Sequence, residues 1–359
     1  MRICIVLGTR PEIIKFSPII RELEKQSLDY FVLHTGQHYS YNMDRVFFEQ
    51  LRLPDARYNL DVGSGGHGEQ TGKMLVGIEK VLVKEKPNIV LVEGDTNTVL
   101  AGALAAVKLG VKVGHVEAGL RSYDRGMPEE INRVLADHCS DLLFAPTGKA
   151  KEILLGEGLA EDKVFVTGNT VVDAVFQNLE LAKEKASVLS HLGLERGGFF
   201  LATVHRQENV DCEQRFRGIL KGLELVEEKF GLPVVYPIHP RARKQLAAFK
   251  IALEGLMLIE PLDYLSFLLL ESCARLVLTD SGGVQEEACV LRVPCVTLRD
   301  NTERPETLEV GSNVLAGAVP ERIVEEAARM LGARRDWPNP FGDGKAGQRI
   351  VDILERSFS

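Results

Sequence analysis

The chain has 359 residues, of which 45% are hydrophobic and 26% are charged, and its formal net charge is −8. This length predicts two domains, each able to bury its own core. The negative charge excludes a general nucleic-acid binder, because phosphate backbones bind to basic surfaces. No apolar run reaches membrane-spanning length and no signal-peptide pattern precedes the first one, so we expect a cytoplasmic protein without a membrane partner.

The six cysteines and eight histidines show no spacing that requires a metal. Most of the cysteines lie in apolar runs, and none forms a close pair of the kind that binds zinc. We therefore expect reduced thiols in a reducing compartment. The first predicted strand is not followed by a GxGxxG fingerprint, so no nicotinamide cofactor is expected.

In the first half of the chain, short apolar runs alternate with longer amphipathic stretches. The predicted strands are Ile3–Leu7, Tyr30–His34, Ile89–Val92, Val111–Val116, Leu142–Phe144 and Val164–Val166. Apolar strands separated by helices are typical of a parallel sheet covered on both faces. Since crossovers between parallel strands are right-handed, this pattern predicts a doubly wound Rossmann-like domain that ends near Asn169.

The second half repeats the alternation after a helical stretch over about Val171–Leu189. The predicted strands are Phe199–Thr203, Val234–Tyr236, Met257–Ile259, Leu276–Leu278 and Cys295–Leu298. A helix between the first two carries one apolar stripe, formed by Phe216, Ile219, Leu220, Leu223 and Val226. We therefore expect an α/β protein with two Rossmann-like doubly wound domains facing a cleft, and a last helix over Gly347–Phe358.

The most informative stretch follows the predicted strand Leu276–Leu278. There Ser281, Gly282 and Gly283 lead into a helix-forming run. Backbone N–H groups at a helix N-terminus suit a phosphate or diphosphate, and glycine lets the ligand approach closely. Glu287 lies one turn further on, where a carboxylate can accept the hydroxyls of a ribose. A plain strand-to-helix turn with glycines for packing is an equally acceptable interpretation of this stretch alone.

Basic side chains follow other predicted strands, at the edge where open α/β sheets bind ligands. Arg10 comes directly after the first strand, and Lys15 lies about one turn later. His205 follows the first strand of the second half, and Arg304 follows the strand Cys295–Leu298. Solvated surface residues are the alternative, but the strand-end positions favour an anionic ligand.

Three carboxylates lie at strand ends or helix starts in the first half. Asp95 follows the strand Ile89–Val92, Glu117 ends the strand Val111–Val116, and Glu129 begins a predicted helix. Each alone is explained by helix capping or by the helix dipole. Together, at one sheet edge, they predict acid–base chemistry on a phosphate-bearing substrate.

These motifs resemble the non-hydrolysing UDP-N-acetylglucosamine 2-epimerases, over essentially the whole chain. The stretches that carry the resemblance are Gly8–Glu12, Gly94–Thr96, His115–Arg121, Pro128–Glu130, Gly168–Thr170, Asp280–Glu287, Thr302–Glu306 and Pro340–Gly344. The resemblance implies a fold like that of GT-B glycosyltransferases. The expected domains are residues 1–169, with the last helix of about 347–359 packing back on them, and a UDP-binding domain of residues 170–346.

The resemblance also implies reversible C2 epimerisation of UDP-N-acetylglucosamine to UDP-N-acetylmannosamine, without a cofactor or a metal. UDP leaves C1 as a base removes the C2 proton, and both return to a 2-acetamidoglucal intermediate. By motif match, Asp95, Glu117 and Glu129 act at the sugar and Glu287 holds the ribose. Catalytic or substrate contacts to the UDP group come from His205, Ser281, Gly282, Gly283, Arg304, Arg10 and Lys15. A homodimer is the expected assembly.

Bacterial members of this family have an allosteric substrate site that uses a Gln-His segment. Gln37-His38 is present here, but the residues up to Met43 form a longer segment than in the bacterial pattern, and Lys73 replaces an arginine. The same segment occurs in epimerases of UDP-diacetamido-uronic acids, which are therefore an alternative function. A GT-B glycosyltransferase, a hydrolysing epimerase that releases free N-acetylmannosamine, and a non-catalytic nucleotide-sugar binder are the others.

Overall fold

The computed structural model describes residues 1–37, 41–253 and 255–358, and for residues 41–43 it describes the backbone alone. The chain divides into two compact units. Unit 1 comprises Met1–Gln177 with Phe341–Ser359, and unit 2 comprises Asn178–Pro340.

Unit 1 contains a seven-stranded parallel sheet in the order β3-β2-β1-β4-β5-β6-β7. Its strands are Arg2–Leu7 (β1), Asp29–His34 (β2), Tyr58–Asn59 (β3), Ile89–Glu93 (β4), Lys112–Val116 (β5), Leu142–Ala145 (β6) and Val164–Val166 (β7). The short strand β3 had not been predicted, because two residues give no apolar run that a pattern can detect.

Unit 2 contains a six-stranded parallel sheet in the order β10-β9-β8-β11-β12-β13. Its strands are Phe200–Thr203 (β8), Val234–Pro237 (β9), Met257–Ile259 (β10), Leu276–Thr279 (β11), Cys295–Thr297 (β12) and Asn313–Leu315 (β13). Both sheets have the strand order of a doubly wound Rossmann-like domain, which confirms the predicted fold class.

Helices connect the strands in both units. They are Arg10–Lys25 (α1), Tyr41–Gln50 (α2), His67–Glu85 (α3), Asn97–Lys108 (α4), Pro128–Cys139 (α5), Gly148–Gly156 (α6), Thr170–Ala182 (α7), Ser187–His191 (α8), Gln207–Val210 (α9), Glu213–Phe230 (α10), Pro240–Ala248 (α11), Tyr264–Cys273 (α12), Gly282–Leu291 (α13), Pro305–Glu309 (α14), Pro320–Leu331 (α15) and Ala346–Phe358 (α16). Short 3₁₀ turns cover Glu161–Lys163 and Lys183–Lys185, and the second separates α7 from α8 where one long helix had been predicted.

The cores lie between each sheet and its helices, as the apolar runs require. Residues Ile3–Leu7 of β1 are completely buried, because helices cover both faces of the sheet. In unit 2 the predicted apolar stripe of α10 is buried against the sheet and against α15. Gly222 lets the two helices approach closely, since a Cβ there would lie 2.6 Å from the Cδ1 of Ile323.

The C-terminal helix α16 packs on α1, at the other end of the sequence of unit 1. Gly347 makes this contact possible, because a Cβ at that position would lie 3.1 Å from the backbone of Pro18. The buried carboxylate of Asp173 on α7 accepts hydrogen bonds from the backbone N–H groups of Ala346, at 3.1 Å, and Gly347, at 2.9 Å. The start of α7 therefore belongs to unit 1, whereas the sequence had placed the domain boundary before it.

Within the described residues, no helix combines the length and the apolar character that a membrane span requires. All six cysteines are free thiols, and Cys212 is exposed while Cys4, Cys273, Cys289 and Cys295 are buried.

We predict that Asp173→Ala lowers the free energy of unfolding by about 2 kcal/mol, because α16 loses the acceptor for its first N–H groups. Urea denaturation followed by circular dichroism measures this. Asp352→Ala, on α16 itself, is the control and is expected to change stability by less than about 0.5 kcal/mol. Equal effects of the two substitutions would show that Asp173 does not anchor the helix.

Candidate functional site

The strand order of unit 1 reverses between β1 and β4, and ligands of doubly wound sheets bind at that point. The first turn there is closed by its own carboxylate. Glu12 accepts hydrogen bonds from the backbone N–H groups of Gly8, at 2.7 Å, and Thr9, at 2.8 Å. Its other oxygen accepts a hydrogen bond from the hydroxyl of Thr96, at 2.6 Å, in the turn after β4. The backbone N–H groups of Gly8 and Thr9 are therefore occupied by a carboxylate of the same unit.

Asp95 follows β4 and lines a pocket of about 310 Å³ together with Glu129. Helix α5 fixes the turn that carries Asp95. The guanidinium of Arg133 lies 2.5 Å from Oδ2 of Asp95, and the amide of Asn132 donates to its backbone carbonyl at 3.0 Å. Asp95 is thus held by side chains one helical turn or less from Glu129, and the two carboxylates share one polar pocket.

Glu117 lies after β5, beside the turn of Asp95, with its backbone in the left-handed region at φ 67°. Residues other than glycine seldom adopt this conformation, so the surrounding structure must hold Glu117 in it. Its side chain is buried, forms an ion pair with Lys15 and accepts from the amide of Asn169 at 3.3 Å. Lys15 also lies 3.2 Å from Glu93, the last residue of β4. Lys15 therefore binds carboxylates in this structure.

Burial raises the pKa of Glu93 well above its usual value, and the nearby carboxylates of Glu117 and Glu12 raise it further, although Lys15 opposes the change. A neutral Glu93 leaves the charge of Lys15 to Glu117. Glu117 is then the ionised member of the group, which is the state that a general base requires.

A buried histidine contacts the turn that carries Asp95. His115, on β5, lies 2.6 Å from Asp137 through Nδ1 and 2.8 Å from the carbonyl of Gly94 through Nε2. Burial alone would lower the pKa of His115, but Asp137 outweighs it and the pKa is raised. Asp137 also pairs with Arg121, at 2.7 Å. The imidazolium thus ties the residue before Asp95 to a charged network in the core.

Arg10 does not point at a vacant anion site. Its Nε lies 3.1 Å from the buried carboxylate of Asp44 on α2, and its guanidinium stacks 4.9 Å from the ring centre of Phe47. In the segment compared with the bacterial pattern, Gln37 accepts hydrogen bonds from the N–H and hydroxyl of Thr98. His38, Tyr39 and Ser40 lie outside the described residues.

In unit 2 the strand order reverses between β8 and β11. Asp280, after β11, is completely buried and accepts from the backbone N–H groups of His205 and Arg206 and from the amide of Asn209. Burial would raise the pKa of Asp280, but these contacts and the His205 ring outweigh it and lower the pKa. The imidazole Nδ1 of His205 lies 3.2 Å from Asp280, which leaves the ring partly exposed and oriented at the sheet edge.

The N-terminus of α13 lies beside His205 and differs from the first turn of unit 1. Ser281 precedes the helix and makes no side-chain capping bond, and the N–H groups of a first helical turn have no partner within the helix. A Cβ at Gly282 or Gly283 would meet nothing nearer than 3.8 Å. Packing therefore does not demand glycine at either position, which favours the anion-binding interpretation.

Arg304 lies at the start of α14, which packs against α13. Its Nε lies 2.9 Å from the buried carboxylate of Glu286. Its Nη1 donates to the backbone carbonyl of Glu303 at 3.2 Å, so the mostly buried guanidinium is held in a fixed direction.

Glu287, one turn into α13, is buried and accepts a hydrogen bond from the hydroxyl of Tyr264 at 3.1 Å. Tyr264 is separated from it by 23 positions, and no local pattern indicated the contact. Asn169 and Glu286 lie within quoted motifs and Glu93 lies directly before one, but none had been singled out, because only the tertiary contacts show what they hold.

The sequence-predicted residues thus form two groups. In unit 1, Asp95 and Glu129 share a pocket, Glu117 pairs with Lys15 at the neighbouring strand end, and Arg10 pairs with Asp44. In unit 2, His205 and Arg304 flank the helix start Ser281–Gly283, and Glu287 lies one turn later. The described part of the chain contains no cluster of three His, Cys, Asp or Glu side chains that could hold a metal.

Comparison with known proteins agrees with this arrangement. The family model described as UDP-N-acetylglucosamine 2-epimerase matches residues 21–355. The UDP-N-acetylglucosamine 2-epimerase of Methanocaldococcus jannaschii is 57% identical over 99% of both chains. Its crystal structure in complex with UDP-GlcNAc and UDP superimposes with a TM-score of 0.91, covering 99% of this chain and 100% of that one. The UDP-2,3-diacetamido-2,3-dideoxy-D-glucuronate 2-epimerase of Pseudomonas aeruginosa is 44% identical over 99% of this chain and 100% of its own length.

Two Rossmann-like doubly wound units place the chain among the α/β enzymes with a GT-B-like fold. Within that class, the chain belongs to the UDP-N-acetylglucosamine 2-epimerase family. The resemblance drawn from the motifs is confirmed.

We predict that His115→Gln lowers the free energy of unfolding by about 3 kcal/mol, because Asp137 loses a buried cationic partner. Since the folded pKa of His115 is above its ordinary 6.5, its contribution is complete below pH 6.5 and is lost as the pH rises through the folded value. Thermal unfolding from pH 6 to pH 9 measures this. The difference between wild type and variant should shrink with rising pH, whereas exposed His191→Gln should show no difference. A stability difference between wild type and His115→Gln that stays constant with pH would show that His115 is neutral in the folded protein.

Proposed function

We propose that this protein interconverts UDP-N-acetylglucosamine and UDP-N-acetylmannosamine by elimination and re-addition of UDP. The observation that carries the proposal is the division of chemistry between the two sheet edges. The edge of unit 1 presents carboxylates at Asp95, Glu117 and Glu129, whereas the edge of unit 2 presents an open helix N-terminus. The family, and a relative of 57% identity that bears this name, supply the substrate class.

We assign UDP recognition to unit 2. The hydroxyl of Ser281, the N–H groups of Gly282 and Gly283 and the guanidinium of Arg304 bind the diphosphate, and His205 donates to it. Glu287 accepts the hydroxyls of the ribose. These donors stabilise the charge that develops on the diphosphate as the C1–O bond breaks.

We assign proton transfer at C2 to the carboxylates of unit 1. One carboxylate removes the C2 proton as UDP leaves C1, which produces a 2-acetamidoglucal and UDP. For epimerisation the proton must return to the opposite face of the ring while the UDP oxygen rebonds to C1, so two faces need acid–base groups. Asp95, which shares a pocket with Glu129, and Glu117, which Lys15 keeps ionised, supply them. The re-addition reverses the elimination, so the two steps together need neither an oxidant nor a cofactor.

The function is tested by incubating purified protein with UDP-N-acetylglucosamine in D₂O. We expect UDP-N-acetylmannosamine that carries deuterium at C2 and at no other carbon, because a protonated carboxylate exchanges with solvent before returning its proton. Proton and carbon NMR measure this. Product that keeps its original C2 hydrogen would contradict elimination, and free N-acetylmannosamine with UDP would indicate a hydrolysing enzyme.

A second candidate substrate is favoured by the 44% identity to a UDP-diacetamido-glucuronate 2-epimerase. Parallel measurement of kcat/KM on both UDP-sugars distinguishes the two. A higher kcat/KM for the uronate would leave the proposed mechanism in place and would change the assigned substrate.

We predict that Asp95→Asn lowers kcat by about 10²- to 10⁴-fold, the usual loss when an acid–base group is removed. The Kd of UDP, measured by titration calorimetry, should stay within about twofold, since UDP is assigned to unit 2. Asp162→Asn, an exposed carboxylate of the same unit, is the control and should keep wild-type kcat. Wild-type turnover of Asp95→Asn would remove Asp95 from the mechanism.

A further inference from the structure

A second buried carboxyl group lies behind Glu287. Glu271, on α12, is completely buried, and neither of its carboxyl oxygens meets a hydrogen-bond donor in the part of the chain that the structure describes. The helix α12 packs on α13, which carries Glu287, and the two carboxyl groups are near enough to interact electrostatically. The proposed mechanism gives Glu271 no role, yet burying a carboxyl group without a donor costs several kcal/mol if it is ionised.

Two carboxyl groups form a hydrogen bond only if one of them holds a proton. Glu271 is the one that holds it. Glu287 is slightly exposed and already accepts a hydrogen bond from Tyr264, whereas Glu271 has neither solvent nor a donor to stabilise a charge. Burial raises the pKa of Glu271 well above its usual value, and the neighbouring Glu287 raises it further.

We propose that Glu271 is a positioning residue for nucleotide recognition, which as a neutral acid donates its hydrogen bond to Glu287 and holds that carboxylate as an acceptor for vicinal ribose hydroxyls. This rests on the proposed function, in which Glu287 takes the ribose of UDP. The geometry supplies two donors, the hydroxyl of Tyr264 and the acid proton of Glu271, to one carboxylate. A carboxylate held by two donors keeps a fixed orientation, in which it can accept hydroxyl groups of a ligand.

The groups that face Glu271 come from three elements. Tyr264 shares α12 with it, Glu287 lies on α13, and the buried thiol of Cys295 lies on β12. The pKa values of the tyrosine and of the thiol are raised by burial first and by these carboxyl groups in addition, so both stay protonated. Glu287 is therefore the single charge of this cluster.

The test compares binding of UDP and 2′-deoxy-UDP by titration calorimetry at pH 7.5. A hydrogen bond to a charged acceptor contributes about 10- to 100-fold in affinity, so wild type should prefer UDP by that factor. Glu271→Gln still donates an N–H and should keep the preference within about threefold. Glu271→Leu donates nothing and should lose about tenfold of it. Exposed Glu228→Gln is the control and should match wild type.

The outcomes separate this inference from the proposed function. If wild type binds UDP and Glu271→Leu keeps the full preference, or if Glu271→Gln loses as much as Glu271→Leu, the positioning role is overturned and UDP recognition stands. If wild type binds neither nucleotide, the proposed function fails and the inference fails with it.

Thermal unfolding checks the protonation state without a ligand. A carboxyl group whose folded pKa is raised binds a proton that the unfolded chain releases, so stability falls as the pH rises from the ordinary value of about 4.5 towards the folded pKa. Glu271→Gln removes that cost, and its unfolding midpoint should exceed that of wild type by a few degrees at pH 8 and by less at pH 5. A lower midpoint for Glu271→Gln at pH 8 would show that Glu271 is ionised in the fold and would overturn the proposal.

Discussion

Each sheet depends on one buried carboxylate that joins the turns after its two central strands. In unit 1 this is Glu12, which links the turn after β1 to Thr96 after β4. In unit 2 it is Asp280, which links the turn after β11 to His205 and Arg206 after β8. Parallel strands cannot be joined by a tight hairpin. The hydrogen bonds of Glu12 and Asp280 instead link the turns that follow neighbouring strands. Arg10 and Asp95 in unit 1, and His205 and Ser281 in unit 2, lie on or directly beside these turns.

The two bridging carboxylates leave different chemical groups accessible at the edges of the two sheets. Glu12 occupies the N–H groups of Gly8 and Thr9, directly before its own helix, and unit 1 presents side-chain carboxylates at this edge. Asp280 instead occupies the donors of the opposite turn, and this leaves the N-terminus of α13 open beside His205. One fold used twice thus presents carboxylates at one sheet edge and a helix N-terminus at the other, because the bridging carboxylate lies on a different strand end in each.

Burial decides which carboxyl groups are protonated around the candidate site residues. The single cation of Lys15 lies between Glu93 and Glu117, and burial decides that Glu93 takes the proton. In unit 2 the pair Glu271–Glu287 holds one charge, on the member that reaches solvent. In both pairs a neutral acid lies behind an ionised carboxylate, so the charge is concentrated where a ligand can meet it.

The sequence by itself determined the fold class, most strands and the candidate ligand residues. Continuous apolar runs between amphipathic stretches specify a covered parallel sheet, and polar residues at the ends of those runs must then lie at one edge. Residues such as Asp95, His205 and Ser281 could be found this way. Short strands such as β3 could not, because their position is imposed by pairing and not by an apolar pattern.

The tertiary structure alone decided what each candidate contacts. Spacing cannot show that Lys15 pairs with Glu117, that Arg10 pairs with Asp44, or that Glu271 lies behind Glu287. These contacts join elements far apart in sequence, and their energy depends on burial and on the absence of water, which no local pattern encodes. For the same reason the sequence placed the first domain boundary before α7, whereas the bond from Asp173 to the start of α16 fastens that helix to unit 1.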